Sequence, residues 1–318
     1  MHRSASHFAK SAKHLYCPND GCRGVPQRQH LLPATSALPG GNQVYYRCVV
    51  PNELLEQKRM PSGDSTSIDH ERVLGISFFN GTPAAAVEHL KLTGGLAVIP
   101  AAPALIKLNY DPDYRIAMQK ADLALADSGL LVLLWKLVRR RLLRKISGIA
   151  YLKCLLSDCE IRKDEKLFWI VSSDTAKRKA IAWLQGRSFP IDADDCYVAD
   201  REAPEHAHAL LFAIEKSRPR HVIIAIRGIA PEKLGLYLRD FLLYRPSIHC
   251  VGAALGFLTG EERPIPDWAE RYHVGWFLRL MSQPRMLLPR IGIAFALARM
   301  VFTYRSELPP LRERWTDV

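Results

Sequence analysis

The sequence predicts an α/β protein with a Rossmann-like, doubly wound and mostly parallel sheet, followed by a helical, arginine-rich C-terminal appendage. From Val73 onward, short apolar strand patterns alternate with helical patterns, so one helix separates each strand from the next. Strands separated in this way cannot pair as hairpins and favour right-handed crossovers, with helices on both faces of the sheet. A length of 318 residues with 48% hydrophobic side chains allows one sizeable core and a small appendage.

Five short apolar runs bounded by turn residues are the predicted buried strands. They cover 96–103, 122–127, 166–173, 221–228 and 248–255. The segments with helical patterns cover 111–121, 129–143, 174–186, 203–217 and 231–243. Together these elements predict a core domain over 71–260 and an appendage over 261–318.

Residues 1–70 differ in composition from the rest of the chain. They mix Gly, Pro, Ser, Gln and Asn with few periodic apolar positions. Such a segment buries too little apolar surface to offset the entropy of ordering, so a disordered N-terminal extension is expected.

The charge and the cysteines restrict the partners and the compartment. A formal net charge of +12 and a pI near 9.5 favour anionic partners, which leaves nucleic acid, phosphate-bearing substrates and an acidic membrane surface open. The seven cysteines are an odd number, and the N-terminus has no continuous apolar segment typical of a signal peptide. Free thiols in the cytoplasm are therefore expected.

Asp127 ends a predicted buried strand, and Ser128-Gly129 open the next helix. Ligands of doubly wound sheets bind outside the carboxyl ends of the strands, so this carboxylate is expected at the mouth of a crevice. A catalytic carboxylate fits this position, and so does a helix N-cap, for which Asp and Ser are common. The sequence leaves both interpretations open.

Other predicted strands end in similar polar and glycine-rich turns. Ser172 precedes a helix, Gly228 ends the fourth predicted strand and Gly252 lies near the end of the fifth. Helix N-termini and glycines that let a ligand approach the backbone suit a nucleotide diphosphate, although none of these turns is a GxGxxG or P-loop motif. An ordinary turn remains the alternative at each position.

Basic residues are concentrated in two parts of the chain. Six lie between Lys136 and Lys145, and the nine in 259–318 are all Arg. Arginine suits bidentate phosphate contacts, so phosphate recognition is favoured over a merely solvated helix face. The apolar stretch 286–304 is interrupted by Arg290 and Arg299, so it is expected to lie in a membrane interface or to be a buried C-terminal helix rather than to span.

Three stretches together resemble the WecG/TagA/CpsF family of bacterial glycosyltransferases. They are "YRIAMQKADLALADSG", "RKISGIAYL" and the segment from His249 to Arg290. The resemblance covers about Val73 to Arg290 with the order of the motifs intact. Its most specific part is the spacing of Pro266, Trp268, Trp276, Arg279, Pro284-Arg285 and Arg290.

The resemblance implies an inverting, metal-independent hexosyltransferase that needs no cofactor. It implies transfer of an N-acetylmannosamine-type or related sugar from a UDP-sugar to a polyprenyl-diphosphate-linked acceptor, by a protein peripheral on the cytoplasmic membrane face. Asp127 matches the family's aspartate and is the expected general base. The expected donor-binding residues are Ser128, Gly129, Ser172, Gly228, Glu232 and Gly252. The expected acceptor-diphosphate residues are Lys145, Arg271, Arg279 and Arg285.

Several departures from the family pattern leave a second interpretation open. Ile99-Pro100-Ala101 stand where many members have Thr-x-Asn, and Pro231-Glu232 stand where they have Gln-Glu. A catalytically inactive or regulatory member of the same fold is therefore the alternative. Nucleic-acid binding is not expected, because the arginines lack interleaved aromatic platforms, and a homo-oligomer remains possible. The DADD sequence at 192–195 imitates a metal-binding motif but is expected to be a solvated loop.

Overall fold

The computed structural model describes residues 27–32, 46–51, 69–140, 142–161, 165–199, 205–227, 230–260 and 287–312. The chain divides into two compact units, Met1–Pro61 and Ser62–Val318. In the first unit, β1 (Gln27–Leu32) and β2 (Tyr46–Pro51) pair antiparallel. These strands lie inside the range 1–70, for which the sequence predicts disorder. The Tyr and Val residues of β2 are the local signal that favours a strand there.

The second unit contains an eight-stranded sheet. Its strands are β3 (His70–Val73), β4 (Ile76–Phe79), β5 (Gly95–Val98), β6 (Leu123–Ala124), β7 (Leu167–Val171), β8 (Cys196–Val198), β9 (His221–Ala225) and β10 (Ser247–Cys250). Their order across the sheet is β3-β4-β6-β5-β10-β9-β7-β8. The β3 and β4 strands pair antiparallel, and the other described pairings of this sheet are parallel. The predicted Rossmann-like α/β fold is confirmed.

Helices connect the parallel strands. They are α1 (Pro83–Thr93), α2 (Ala102–Ile106), α3 (Pro112–Lys120), α4 (Gly129–Arg139), α5 (Gly148–Ile161), α6 (Asp174–Gln185), α7 (Glu205–Ser217), α8 (Ala230–Phe241), α9 (Ala254–Leu258) and α10 (Leu287–Tyr304). Short 3-10 turns at Lys107–Asn109 and Ala193–Asp195 complete the connections.

The helices bury apolar side chains against both faces of the sheet, as a doubly wound fold requires. On one face, Tyr114 of α3, Trp135 of α4 and Leu238 of α8 belong to one buried cluster. On the other face, Leu90 of α1 and Tyr151 of α5 belong to a second buried cluster. The core therefore lies in two layers, one on each face of the sheet.

The tight connection between β3 and β4 is held by the C-terminal segment. Leu74 and Gly75 both have positive φ angles, of 52° and 77°. Their backbone N–H groups donate to the carbonyls of Arg305 (2.7 Å) and Ser306 (2.9 Å). A Cβ atom on Gly75 would lie 2.6 Å from the Cβ of Leu308, so only glycine permits this close approach.

The C-terminal helix α10 packs on α2 and α4. Ala296, Leu297, Met300 and Val301 are buried in the core cluster of that face. Along the opposite side of the helix, Phe295 and other apolar side chains remain exposed. The helix therefore has a core-facing side and an exposed apolar side. Among the described helices, none is long and apolar enough to cross a membrane.

Candidate active site at the carboxyl edge of the sheet

Asp127 lies in the loop between β6 and α4, at the carboxyl edge of the sheet, and its side chain is half-buried. Its Oδ1 atom accepts a hydrogen bond of 3.2 Å from the backbone N–H of Gly148, the first residue of α5. A helix N-terminus carries partial positive charge, which favours the ionised carboxylate. The loop is fixed further because the N–H of Ile146 donates to the carbonyl of Ala126 at 2.9 Å.

The N-cap of α4 is Ser128, not Asp127. The Ser128 side chain is buried, and its Oγ atom accepts a hydrogen bond of 3.1 Å from the backbone N–H of Leu131. Gly129 is the first residue of the helix and is also buried. Since Ser128 caps α4, Asp127 is not the N-cap of that helix. The carboxylate of Asp127 instead contacts the first residue of α5.

Gly148 brings three strand ends together around Asp127. A Cβ atom placed on it would lie 3.2 Å from the carbonyl oxygen of Val251, which follows β10. The same atom would lie 4.0 Å from Cγ2 of Ile99, which follows β5. The start of α5 therefore contacts the ends of β5 and β10 while it binds the carboxylate that follows β6. This convergence forms the centre of the candidate site.

A neighbouring pocket lies beyond the ends of β7, β9 and β10. Its lining includes Ser172 and Arg227, which follow β7 and β9, and Thr259, which follows α9. Gly252 lies beside it with a φ of 57°, and its added Cβ would meet the carbonyl of Ile226 at 4.0 Å. The exposed hydroxyl of Ser172 and the exposed guanidinium of Arg227 lie where a strand ends and the next helix begins, and such groups are suited to bind an anionic ligand.

Glu232 lies beneath this edge rather than on it. Its side chain is only 4% exposed in the first turn of α8, and its Oε2 atom has no hydrogen-bond partner among the described residues. Burial raises the pKa of this carboxyl from its ordinary value of 4.5 to about 7. The nearby hydroxyl of Tyr114 in α3 is also buried without a described partner. The pKa of Tyr114 is raised, first because the hydroxyl is buried and second because the Glu232 carboxylate is close to it.

Residues 71–311 match the sequence profile of the glycosyl transferase WecG/TagA/CpsF family. The chain belongs to this family. A curated relative from Bacillus spizizenii, named N-acetylglucosaminyldiphosphoundecaprenol N-acetyl-beta-D-mannosaminyltransferase, is 23% identical over 220 residues. That alignment covers 66% of this chain and 82% of the relative. The predicted enzyme class, a hexosyltransferase of the WecG/TagA/CpsF type, is confirmed.

The basic residues assigned by the family resemblance are only partly described. Lys145 is half-buried in the segment between α4 and α5, on the chain that leads from Asp127 to Gly148. Gly228 and the three arginines Arg271, Arg279 and Arg285 lie outside the described residues. Their roles in this member of the WecG/TagA/CpsF family therefore stay predictions.

The acidic sequence at 192–195 is only partly solvated. Asp192 and Asp194 are exposed, but Asp195 is buried. The Oδ1 atom of Asp195 forms an ion pair of 3.1 Å with Nζ of Lys166 and accepts a hydrogen bond of 3.1 Å from Ser217 Oγ. The solvated-loop expectation is therefore wrong for Asp195, because this carboxylate fastens a 3-10 turn to the neighbouring elements.

Ser147 and Gly148, at the start of α5, were not among the predicted site residues. Ser147 caps the helix, because its Oγ atom accepts a hydrogen bond of 3.2 Å from the N–H of Ala150. Gly148 supplies the described hydrogen bond to Asp127. A Ser-Gly pair before a helical pattern is a recognisable start signal. That signal would have indicated the start of α5, which was not predicted, but the contact with Asp127 depends on the crossover that folds α5 back over the sheet.

Proposed function

We propose that this WecG/TagA/CpsF member transfers an N-acetylmannosamine-type or related sugar from a UDP-sugar to a polyprenyl-diphosphate-linked acceptor, with inversion at the anomeric carbon. The transfer serves the synthesis of a cell-envelope polysaccharide. The observation that carries the proposal is the position of Asp127, a half-buried carboxylate held by the N-terminus of α5 where the ends of β5, β6 and β10 meet. The name of the Bacillus spizizenii relative supports the choice of substrates.

The proposed reaction is a single displacement with Asp127 as the general base. The acceptor hydroxyl attacks the anomeric carbon from the face opposite UDP, and its proton passes to the carboxylate. A bond forms between the acceptor oxygen and the anomeric carbon, while the bond from that carbon to the UDP oxygen breaks. UDP leaves with the electron pair, so the configuration inverts.

The leaving diphosphate is assigned to the pocket beyond β7, β9 and β10. Polar groups for the diphosphate are supplied there by Ser172 and Arg227. Gly252 has no side chain to block the approach of the ligand to the backbone, and the N-terminus of α6 adds partial positive charge. Fixed positive groups near a developing diphosphate charge lower the barrier to departure, as a metal ion does in other transferases.

The acceptor is anchored in a membrane, and we assign the membrane contact to the packed helices α4 and α10. The exposed face of α10 carries Ile291, Phe295 and Phe302, while Leu133 and Leu137 are exposed on α4. The formal charge of +12 favours an anionic lipid surface. This arrangement supports a peripheral protein on the cytoplasmic face.

The test is a donor panel with the purified full-length protein. UDP-sugars are incubated singly with a short-chain polyprenyl-diphosphate N-acetylglucosamine, and both UDP release and the glycosylated lipid are measured. The proposal expects acceptor-dependent UDP release with one N-acetylated donor, and a product with inverted anomeric configuration by NMR. UDP release without the acceptor would indicate hydrolysis, and retained configuration would rule out the single displacement.

A non-catalytic member of the family is the second candidate, and two observations favour it. Ile99-Pro100-Ala101 replace the polar family residues beside Gly148, and Glu232 is buried instead of exposed to a donor. Saturable UDP binding by calorimetry, together with no turnover across the panel, would support this candidate over the transferase.

A further inference from the structure

A second polar cluster lies at the opposite, amino edge of the same sheet. It contains Cys159 in the last turn of α5, Glu165 just before β7 and His221 at the start of β9. The thiol, carboxylate and imidazole ligand atoms all lie within 4.8 Å of one another. Cys159 and His221 are buried, and Glu165 is half-buried. The proposed transfer reaction uses none of these residues.

The His221 and Cys159 side chains both approach one carboxylate oxygen of Glu165. His221 Nε2 lies 3.0 Å from Glu165 Oε2, and Cys159 Sγ lies 3.9 Å from the same oxygen. The first distance is that of a hydrogen bond, whereas the second leaves the thiol with at most a weak one. The thiol therefore adds little to the polar network unless another atom joins the three groups.

We propose that Cys159, Glu165 and His221 bind a divalent metal ion of the zinc type, at a site separate from the Asp127 region. Thiolate sulfur, imidazole nitrogen and carboxylate oxygen are the protein ligands that Zn²⁺ takes. Ligand atoms at zinc distances around a tetrahedral ion lie about 3.3–3.6 Å apart. The spacings of 3.0 and 3.9 Å lie on either side of that range. The ligand atoms of Cys159 and His221 lie within 4.8 Å of each other, so movements of about 1 Å would bring all three groups to coordination distances.

The charge of the site agrees with a divalent ion. A thiolate and a carboxylate together carry two negative charges, and a neutral imidazole adds none, so the loaded site would be neutral overall. Burial strongly disfavours uncompensated charge, and this balance satisfies that requirement. The nearby buried Lys91 does not disturb it, because its Nζ atom is already paired with Glu88 (2.8 Å) and Asp158 (2.9 Å).

A chain of hydrogen bonds supports the imidazole from behind. His221 Nδ1 lies 3.0 Å from His249 Nε2, and His249 Nδ1 lies 2.8 Å from the Tyr151 hydroxyl. The His221 Nδ1–H can donate to His249, whose own Nδ1–H then donates to Tyr151. In that direction Nε2 of His221 would bind the metal through its lone pair, in place of the Nε2–H that donates to Glu165 when no metal is bound. Such an outer hydrogen bond usually fixes the tautomer and orientation of a metal-binding histidine.

The site has a structural consequence for the carboxyl edge. Cys159 lies eleven residues after Gly148 in α5, which is about 16 Å along the helix axis. The ion would fasten the last turn of α5 to the amino ends of β7 and β9, while the first residue of the same helix holds Asp127. Three protein ligands leave one tetrahedral position for water.

The test uses the full-length protein and the metal alone, and it does not depend on transferase activity. Protein purified without chelator is dialysed against metal-free buffer and its zinc content is measured by mass spectrometry. The stripped protein is then titrated with Co²⁺, which gives a thiolate-to-cobalt charge-transfer band when a cysteine is a ligand. About one metal ion per chain and a saturable band are expected, with a rise in melting temperature on zinc addition.

The matched variants are Cys159→Ser and Cys154→Ser. Both cysteines lie on α5, but Cys154 is not part of the cluster. Cys159→Ser should lose the charge-transfer band and bind Zn²⁺ at least 10-fold more weakly, and Cys154→Ser should retain both properties. If Cys159→Ser does not fold, Glu165→Gln takes its place and should likewise bind Zn²⁺ at least 10-fold more weakly. Absence of the thiolate band in folded wild-type protein would overturn the proposal and leave the cluster as a hydrogen-bond network.

Discussion

Asp127 illustrates how one residue depends on both its local sequence and the distant chain. The sequence indicates a carboxylate at a strand end, and it leaves capping and catalysis as alternatives. The structure decides the capping question, because Ser128 Oγ binds the Leu131 N–H while Asp127 Oδ1 binds the Gly148 N–H. The second contact joins residues 21 positions apart, so no local pattern could predict it.

The first prediction is that Asp127→Asn lowers the transfer rate by about 100-fold or more. The amide can still accept the Gly148 hydrogen bond but cannot take a proton from the acceptor. UDP binding and the melting temperature should stay close to wild type. Asp194→Asn, which changes an exposed carboxylate away from the site, is the control and should keep wild-type turnover. A stable Asp127→Asn protein with the wild-type rate would exclude the base role.

The second prediction concerns the buried carboxyl of Glu232. Its pKa is raised from 4.5 to about 7 in the folded protein, so the folded state binds a proton that the unfolded state has lost. Stability should therefore fall as pH rises from about 4.5 to about 7, by at most about 3 kcal/mol. Glu232→Gln should remove this part of the pH dependence. Urea unfolding of both proteins at about pH 5 and about pH 8 measures it, and equal pH slopes would contradict the assignment.

The elements of the sheet were largely predictable, and the connections were less so. The predicted strands contain or overlap β5, β6, β7, β9 and β10, whereas β3, β4 and β8 were not predicted. Their buried apolar runs are the pattern that parallel strands require. By contrast, α1 and α5 were not predicted. Nothing local shows that α5 must pass over the sheet so that its two ends reach opposite edges.

The third prediction tests the start of α5 as an element that positions Asp127. In Gly148→Ala the new Cβ would lie 3.2 Å from the Val251 carbonyl oxygen, a close contact, so the helix start and this carbonyl should shift apart by a few tenths of an ångström. Such a shift should lower turnover by about 10- to 100-fold, while stability changes by about 1 kcal/mol or less, since alanine favours the helix. The readouts are the transfer rate and the urea midpoint.

Gly186→Ala is the matched control for this helix start. Its Cβ would meet the Ala182 carbonyl at a similar 3.3 Å, at the end of α6 rather than beside Asp127. It should leave turnover unchanged. If the Gly148 and Gly186 variants lose the same activity, the effect is general packing and not the position of Asp127.

At the scale of the whole molecule, the sheet separates the three regions to which functions are proposed. The carboxyl edge carries Asp127, the amino edge carries the Cys159 cluster, and the flank made by α4 and α10 exposes apolar side chains. The sequence left two interpretations of 286–304, an interfacial helix and a buried one. The structure combines features of both, since α10 buries one side and exposes apolar groups on the other. Helical periodicity alone does not say which side meets the core.

The last prediction tests that exposed flank. Ile291, Phe295 and Phe302 lie within about 40° of one another around α10 at about 100° per residue, and Phe295 and Phe302 are 77% and 48% exposed. Because these rings contribute little to the core, a Phe295→Ser and Phe302→Ser double variant should keep the wild-type melting temperature. It should bind anionic liposomes at least 10-fold more weakly, since two aromatic side chains no longer insert among the lipids.

Phe212→Ser, at a ring 72% exposed on α7, is the matched control and should bind like wild type. Co-sedimentation with phosphatidylglycerol vesicles measures the difference. Equal binding of all three proteins would show that basic charge alone, and not this apolar face, brings the transferase to its lipid-linked acceptor.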